Sequence, residues 1–367
     1  MTAPQNLKVS KDPGLAAKNM DFPKKITDLN PKTFQTINFG CRVNSAETNE
    51  LSALLLKKSF TKSSDNPKLF LINTCAVTQK GERQSLQKIR SLAHQYPNSK
   101  ILATGCANLS HLNLKNLTIL DNTQKQEILK FHCPYTPQIK DKFSQSRKYI
   151  LRIQSGCHQY CTYCLSAHRR PTLWHLPINQ AVKAIQKACR EGYQKLILTG
   201  INLDLYQPGL PLLLKKLLQN TKIEEISFGS LPVNCLTPKL LSVYQKDQKE
   251  RGRLKNFFHI PLQSGSNKIL KKMNRPYTCT QAIKNIKSFQ SLGKIFLGTD
   301  IIVGFPSETA KDFSQTLNLL KNLKPKKIHV FRFSSRPGTP AALLHQKNPV
   351  SPKTSQKRSQ ILRNLNF

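Results

Sequence analysis

Three thiols crowd one short stretch, "GCHQYCTYCLSAHRR" (residues 156–170), where Cys157, Cys161 and Cys164 stand in a C-x3-C-x2-C spacing. Three is the wrong number for disulfides and one short of a closed four-ligand metal site. Soft thiolates suit zinc and iron–sulfur centres. Paired C-x2-C knuckles separated by a longer loop would favour zinc. This spacing, with no fourth cysteine nearby, favours a cubane [4Fe-4S] cluster that leaves one iron open. A zinc site completed by His158 or His168 is the competing reading. It is weakened because His158 lies inside the loop and His168 adjoins a basic pair.

A second set is dispersed. Cys41, Cys75 and Cys106 each follow an apolar, strand-like run: "INFGC", "INTC" and "ATGC". In a parallel sheet those strand ends share one edge, so the three thiols could converge into a second three-cysteine cluster. Singly, each could be a small buried hydrophobe. Cys133, Cys189, Cys235 and Cys279 follow no pattern and read as structural. Ten cysteines with no secretory signal point to a reducing, cytoplasmic setting.

The elements that must position these residues alternate in type. "TFQTINF" (33–39), "KLFLINT" (68–74) and "SKILATG" (99–105) read as strands, separated by amphipathic helical stretches. That alternation predicts a parallel α/β domain over residues 33–133. Residues 134–148 are polar and charged and read as a linker. Six further apolar runs, starting at Tyr149, Lys195, Glu224, Phe257, Phe296 and Lys327, predict an incomplete (β/α)6 TIM-like barrel over residues 149–345. In such barrels functional groups gather at the C-terminal strand ends. Cys157, the "TGIN" run at 199–202, Ser230, Gln263 and Asp300 all fall at or near them. Each of these except the cysteine also has a bland reading, such as a helix cap at Asn202. Residues 1–32 read as a disordered basic arm and residues 346–367 as a basic amphipathic tail.

Charge is the dominant bulk feature. Lys and Arg total 58 against 19 acidic residues, a formal net +39. Such an excess predicts a polyanionic partner, foremost nucleic acid. No run of about 18 apolar residues occurs, so no membrane span is expected.

"GCHQYCTYC" resembles the signature of radical S-adenosylmethionine (SAM) enzymes. "FGCRVNSAETNEL", "INTCAVT", "HIPLQSGSNKILKKMNRPYT", "TDIIVGFPSET" and "FSSRPGTPAA" together resemble the methylthiotransferases over about residues 33–345. "GC-R-VN" and "NTC-A-VT" are similar to the MtaB type, which acts on N6-threonylcarbamoyladenosine beside the tRNA anticodon (position 37). The resemblance implies a flavodoxin-like first domain and two clusters. The Cys157, Cys161 and Cys164 cluster would bind SAM and cleave it to a 5′-deoxyadenosyl radical. The Cys41, Cys75 and Cys106 cluster would carry the sulfur delivered as methylthio to carbon 2 of the adenine. Tyr163 matches the aromatic beside the SAM adenine. Thr199, Gly200 and Asn202 match the SAM-methionine contacts, with Ser230, Gln263, Asp300 and Arg170 about the same pocket. Partners implied are tRNA, a flavodoxin- or ferredoxin-type electron donor and a sulfur source.

The chain departs from that family at four places. "CLSAHRRP" replaces the usual run after the third cysteine. Ser155 and Ser307 replace an Asp and a Gly. The sequence ends at Phe367, where a small TRAM domain usually follows. The alternatives are action on isopentenyladenosine tRNA, or a cluster- or zinc-stabilised RNA-binding protein without catalysis.

Overall fold

The computed structural model describes residues 21–132, 148–293 and 295–365. Cys133, the first twenty residues of the expected arm and all but the last residue of the expected linker lie outside the described residues.

The first half comprises α1 (Lys24–Thr27), β1 (Thr33–Asn38), α2 (Arg42–Lys57), β2 (Thr61–Lys62), β3 (Leu69–Thr74), α3 (Gln79–Gln95), β4 (Lys100–Gly105), β5 (Leu117–Ile119) and α4 (Asn122–His132). Its five strands are parallel and ordered β2-β1-β3-β4-β5, the flavodoxin-like arrangement. Central β3, "LFLINT", is buried at all six positions because helices cover both sheet faces. Leu69 and Leu71 meet Leu51 and Leu55 of α2, while Phe70 and Ile72 meet Ile89 and Leu92 of α3. β2, β5 and α4 escape sequence periodicity because they are short or weakly amphipathic.

The arm expectation needs correction at its end. Phe22 and Ile26 are buried in the α2-side core with Leu29 packed against it, so residues 21–32 are an ordered flap on the sheet. Three apolar side chains at spacings of four and three explain it, since they can reach one surface from a single turn.

The second half runs β6 (Lys148–Ser155), α5 (Ser166–Arg169), β7 (Trp174–His175), α6 (Ile178–Arg190), β8 (Lys195–Gly200), α7 (Leu210–Asn220), β9 (Glu225–Phe228), α8 (Pro238–Glu250), β10 (Phe257–Gln263), α9 (Asn267–Lys272), α10 (Cys279–Gln290), β11 (Phe296–Val303), α11 (Ala310–Leu323), β12 (Lys327–Arg332), α12 (Pro340–Lys347) and α13 (Pro352–Arg363). Parallel arcs β6-β8-β9 and β10-β11-β12 make the six-stranded incomplete barrel. The arcs adjoin where Leu231 N–H donates to the His259 carbonyl at 2.8 Å. Short antiparallel β7 extends the open edge at β6.

Residues 346–367 were expected as a tail, yet α13 closes the barrel against β11 and β12. Leu362 is fully buried, and Arg358 donates to Glu308 Oε2 at 2.6 Å. Its basic sequence disguised it, because buried Arg358 is paired rather than solvated. Ser307, standing where the resembled family carries Gly, keeps a left-handed φ of 68°. Leu362→Ala should lower unfolding stability by about 2–5 kcal/mol in denaturant titration; a loosely attached tail would give a change within about 0.5 kcal/mol.

Candidate active site

In each set one cysteine follows a left-handed glycine that a side chain would disrupt. At Gly156 (φ 81°), a Cβ would lie 2.2 Å from the Thr172 carbonyl oxygen. At Gly105 (φ 108°), it would lie 2.4 Å from the Thr74 carbonyl oxygen. Each turn lets the chain leave the strand end abruptly and present the next residue, Cys157 or Cys106.

In the barrel, buried Gln154 positions the thiol loop. Its Nε2 donates to the carbonyls of Ser155 (2.9 Å) and Gly156 (2.7 Å), and its Oε1 accepts from Asn202 N–H (2.8 Å). Donors surround the sulfurs. Gln159 N–H lies 3.4 Å from Cys157 Sγ, Ser166 N–H 3.3 Å from Cys164 Sγ, and Arg275 Nη1 3.3 Å from Cys161 Sγ. Asn202 Nδ2 is 3.9 Å from Cys157 Sγ. Burial pushes the Cys157 and Cys164 thiols up.

A cavity of about 190 Å³ opens beside these sulfurs. The three cysteines, Tyr163, Gly200, Asn202, Ser230 and Gln263 line it. Thr199 is buried just beneath the rim, against Gly229. Gln263 adopts a left-handed φ of 67° next to a register shift in β10, a conformation non-glycine residues rarely take.

The second set stands on adjacent strands. Cys41, Cys75 and Cys106 follow β1, β3 and β4, at the carboxyl edge where the strand order reverses. In open α/β sheets ligands bind at that switch point. Cys75 receives a bond from Val77 N–H at 3.5 Å, and Cys41 Sγ lies 3.6 Å from Asn44 Oδ1. Burial, then the neighbouring Cys106 and Cys41 sulfurs, push the Cys75 thiol up.

One member of each set, Cys106 and Cys164, faces a shared cavity of about 210 Å³. Ala76, Val77 and Cys106 line it from the first half, and Tyr163, Cys164, Gln263 and Asp300 from the second. Asp300 Oδ1 also holds two imidazoles, His259 Nε2 at 2.8 Å and His329 Nδ1 at 3.1 Å. Among the described residues, these three form the only group of His, Cys, Asp or Glu ligand atoms lying within 4.8 Å of one another. Among the described residues, no three cysteine sulfurs are gathered within 4.8 Å of one another. His158 bonds the Pro171 carbonyl and His168 packs against Tyr160.

Arg170 corrects the expectation that placed it at the SAM pocket. It turns to the first half, where its guanidinium pairs with both Glu47 oxygens (Nη2–Oε2 2.9 Å) and reaches Asn44 Oδ1 at 3.3 Å. Lys125 Nζ meets Glu47 Oε2 at 2.7 Å, and Arg152 Nη2 meets Glu50 Oε2 at 2.7 Å. Burial raises the Glu47 carboxyl, but Arg170 and Lys125 outweigh it and hold the group far below the usual range. Burial lowers Lys125 to about 8 even against Glu47. The other rim is held by Arg336, which donates to Glu82 Oε2 (2.8 Å) and the Ala76 carbonyl (2.5 Å).

Sequence reasoning missed Gln154, Arg275, Glu47 and the two histidines on Asp300. Arg275 and His259 lie within the quoted "HIPLQSGSNKILKKMNRPYT", so their signal was present. Glu47 looks like any helix-surface acid.

Two family models match: "Radical SAM superfamily" over residues 151–320 and "Uncharacterized protein family UPF0004" over residues 33–122. The threonylcarbamoyladenosine tRNA methylthiotransferase MtaB of Aquifex aeolicus is 30% identical, over 90% of this chain and 87% of its own length. The tRNA-2-methylthio-N(6)-dimethylallyladenosine synthase of Thermodesulfovibrio yellowstonii is 32% identical, over 83% of this chain and 77% of its own. The chain belongs to the radical SAM methylthiotransferase family. The MtaB protein of Thermotoga maritima is also similar, 29% identical over 90% of this chain and 81% of its own. Fold likeness extends to the radical SAM methyltransferase TsrM of Kitasatospora setae, with a TM-score of 0.61 at 10% identity, covering 85% of this chain and 77% of that one. Among the described residues of this methylthiotransferase, no helix is long and apolar enough to cross a membrane.

Glu47→Gln should lower stability by about 3–5 kcal/mol, because it leaves buried Arg170 and Lys125 without a counter-charge. The wild-type contribution is present above the ordinary glutamate value of 4.5 and declines progressively as pH falls from there toward the far lower folded-state value. Denaturant titrations at neutral pH and near pH 3 check both; equal stability of variant and wild type at neutral pH would contradict the assignment.

Proposed function

We propose that this methylthiotransferase converts N6-threonylcarbamoyladenosine beside the tRNA anticodon to its 2-methylthio derivative. The observation that carries the reading is the single cavity faced by Cys106 on one side and Cys164 on the other. A methylthio transfer needs a radical source and a sulfur source at one substrate atom, and a lone radical SAM site would need only the first. The match to MtaB proteins and the "GCRVN" and "NTCAVT" runs support the threonylcarbamoyl substrate.

Cys157, Cys161 and Cys164 would hold a [4Fe-4S] cluster, and Cys41, Cys75 and Cys106 a second one. Held by Cys157, Cys161 and Cys164, the first group would supply the one-electron reduction of SAM that activation of the inert C2–H position requires. Arg275 and the loop N–H groups stabilise negative charge on the sulfurs. Gly200, Asn202, Ser230 and Gln263 line the space for SAM beside that site. Arg170 places its buried charge beside Cys106, and its Nε has no other hydrogen-bond partner, so it could donate to a group held at the second site. Tyr163 and the Asp300 carboxylate wall the cavity where the adenine would enter. A flavodoxin- or ferredoxin-type donor and an external sulfur source complete the reading.

Mass spectrometry of tRNA nucleosides with and without the gene tests the substrate. Loss of the methylthio mark from threonylcarbamoyladenosine is expected; loss from isopentenyladenosine instead would assign the other substrate, and no change would overturn both. Cys161→Ala should abolish SAM cleavage. Cys41→Ala should retain cleavage and lose sulfur transfer, so a Cys41→Ala enzyme that still methylthiolates would remove the second site from the chemistry.

A further inference from the structure

A second groove, of about 720 Å³, opens beside the cavity between the cysteine sites and shares Leu165 and Arg336 with it. Arg83, Gln87 and Arg90 face it from α3, at the i, i+4, i+7 spacing that aligns side chains on one helix face. Arg169 and His111 line it as well. The α3 arginines are exposed and about 10 Å apart along the helix.

Apart from Arg336, which is paired with Glu82, the arginines of this groove are uncommitted. Among the described residues, Arg83, Arg90 and Arg169 make no side-chain ion pair. The one acid lining the groove, Glu82, already accepts from Arg336 at 2.8 Å and from Asn108 N–H at 3.0 Å. A comparable groove between α7 and α8, about 670 Å³, differs on this point. There Lys246 pairs with Glu250, Asp247 also lines the wall, and Arg253 is spent on the carbonyls of Thr221 and Ile223. That groove also lies near the amino-terminal ends of the strands, away from the cysteines.

We infer that the α3 face bearing Arg83 and Arg90, with Arg169, holds the phosphate backbone of the RNA strand flanking the nucleotide in the cavity. The inference rests on the tRNA reading above and adds the surface that grips the substrate. A nucleotide seated between Cys106 and Cys164 has neighbours that must leave across a rim. At the rim marked by Leu165 and Arg336, the strand meets unpaired guanidinium groups. Gln79, Gln87 and Asn108 add neutral hydrogen-bonding groups suited to sugar and phosphate oxygens. An acidic electron-donor protein is the rival occupant.

The test is fluorescence anisotropy of an anticodon stem-loop RNA carrying threonylcarbamoyladenosine, titrated with the anaerobically reconstituted full chain across a salt series. Arg83→Glu with Arg90→Glu should weaken binding at least tenfold near 0.1 M salt. It should also flatten the slope of log affinity against log salt by about one to two, with iron content per chain equal to wild type. Arg83→Lys with Arg90→Lys should restore most of the slope. Lys246→Glu with Lys249→Glu on α8 should change affinity less than threefold. An unchanged slope in the α3 reversal, or an equal loss in the α8 reversal, overturns the inference. Retained RNA affinity with slowed reduction by flavodoxin or ferredoxin overturns it in favour of the protein partner. The slope depends on phosphate contacts alone, so it stands or falls separately from whether the wild type methylthiolates threonylcarbamoyladenosine.

Discussion

A fully buried carboxylate, Glu47 on α2, ties the two halves of the molecule together. It accepts from Arg170, which leaves the end of the C-x3-C-x2-C loop, and forms an ion pair with Lys125 of α4. Burying three ionised groups is costly, and such a cluster persists only when geometry pairs each charge. The pairing is directional, so it sets orientation as well as contact. Arg152 with Glu50 repeats the device one helical turn away, and Arg42 crosses to the Phe228 and Gly229 carbonyls at 3.0 Å. On the opposite rim Arg336 reaches Glu82 and Ala76. The cavity between the cysteine sites exists because these links hold two sheet edges face to face.

Both edges are carboxyl ends of parallel strands, and that shared geometry made much of the molecule legible. Strand–helix alternation foretold two parallel α/β units, and every strand-like run named from the sequence is a strand. Cysteines placed directly after "TINFG", "LINT" and "LATG" had to arrive at one edge, because parallel pairing aligns those ends.

What stayed hidden was set by long-range pairing. Arg170 sits beside the SAM-loop cysteines in sequence, yet its charge is satisfied 123 residues away, by Glu47. Local spacing cannot report that. α13 reads as a solvated basic helix because its buried face depends on Leu362 and on Arg358 finding Glu308. The flap at residues 21–32 has too few apolar residues to signal order alone; Phe22 and Ile26 become informative only beside an existing core. Asp300 was visible at a strand end, but its two imidazole partners come from the flanking strands and needed the register of β10, β11 and β12.

The central claim is that this chain builds two separate iron–sulfur sites on one cavity. Iron and acid-labile sulfide counts on anaerobically reconstituted protein test it most directly, in the wild type and in the Cys41→Ala, Cys75→Ala, Cys106→Ala triple variant. Two cubanes predict about eight irons per wild-type chain and about four in the triple variant. About four irons in both proteins, or zinc in place of iron, would contradict the account.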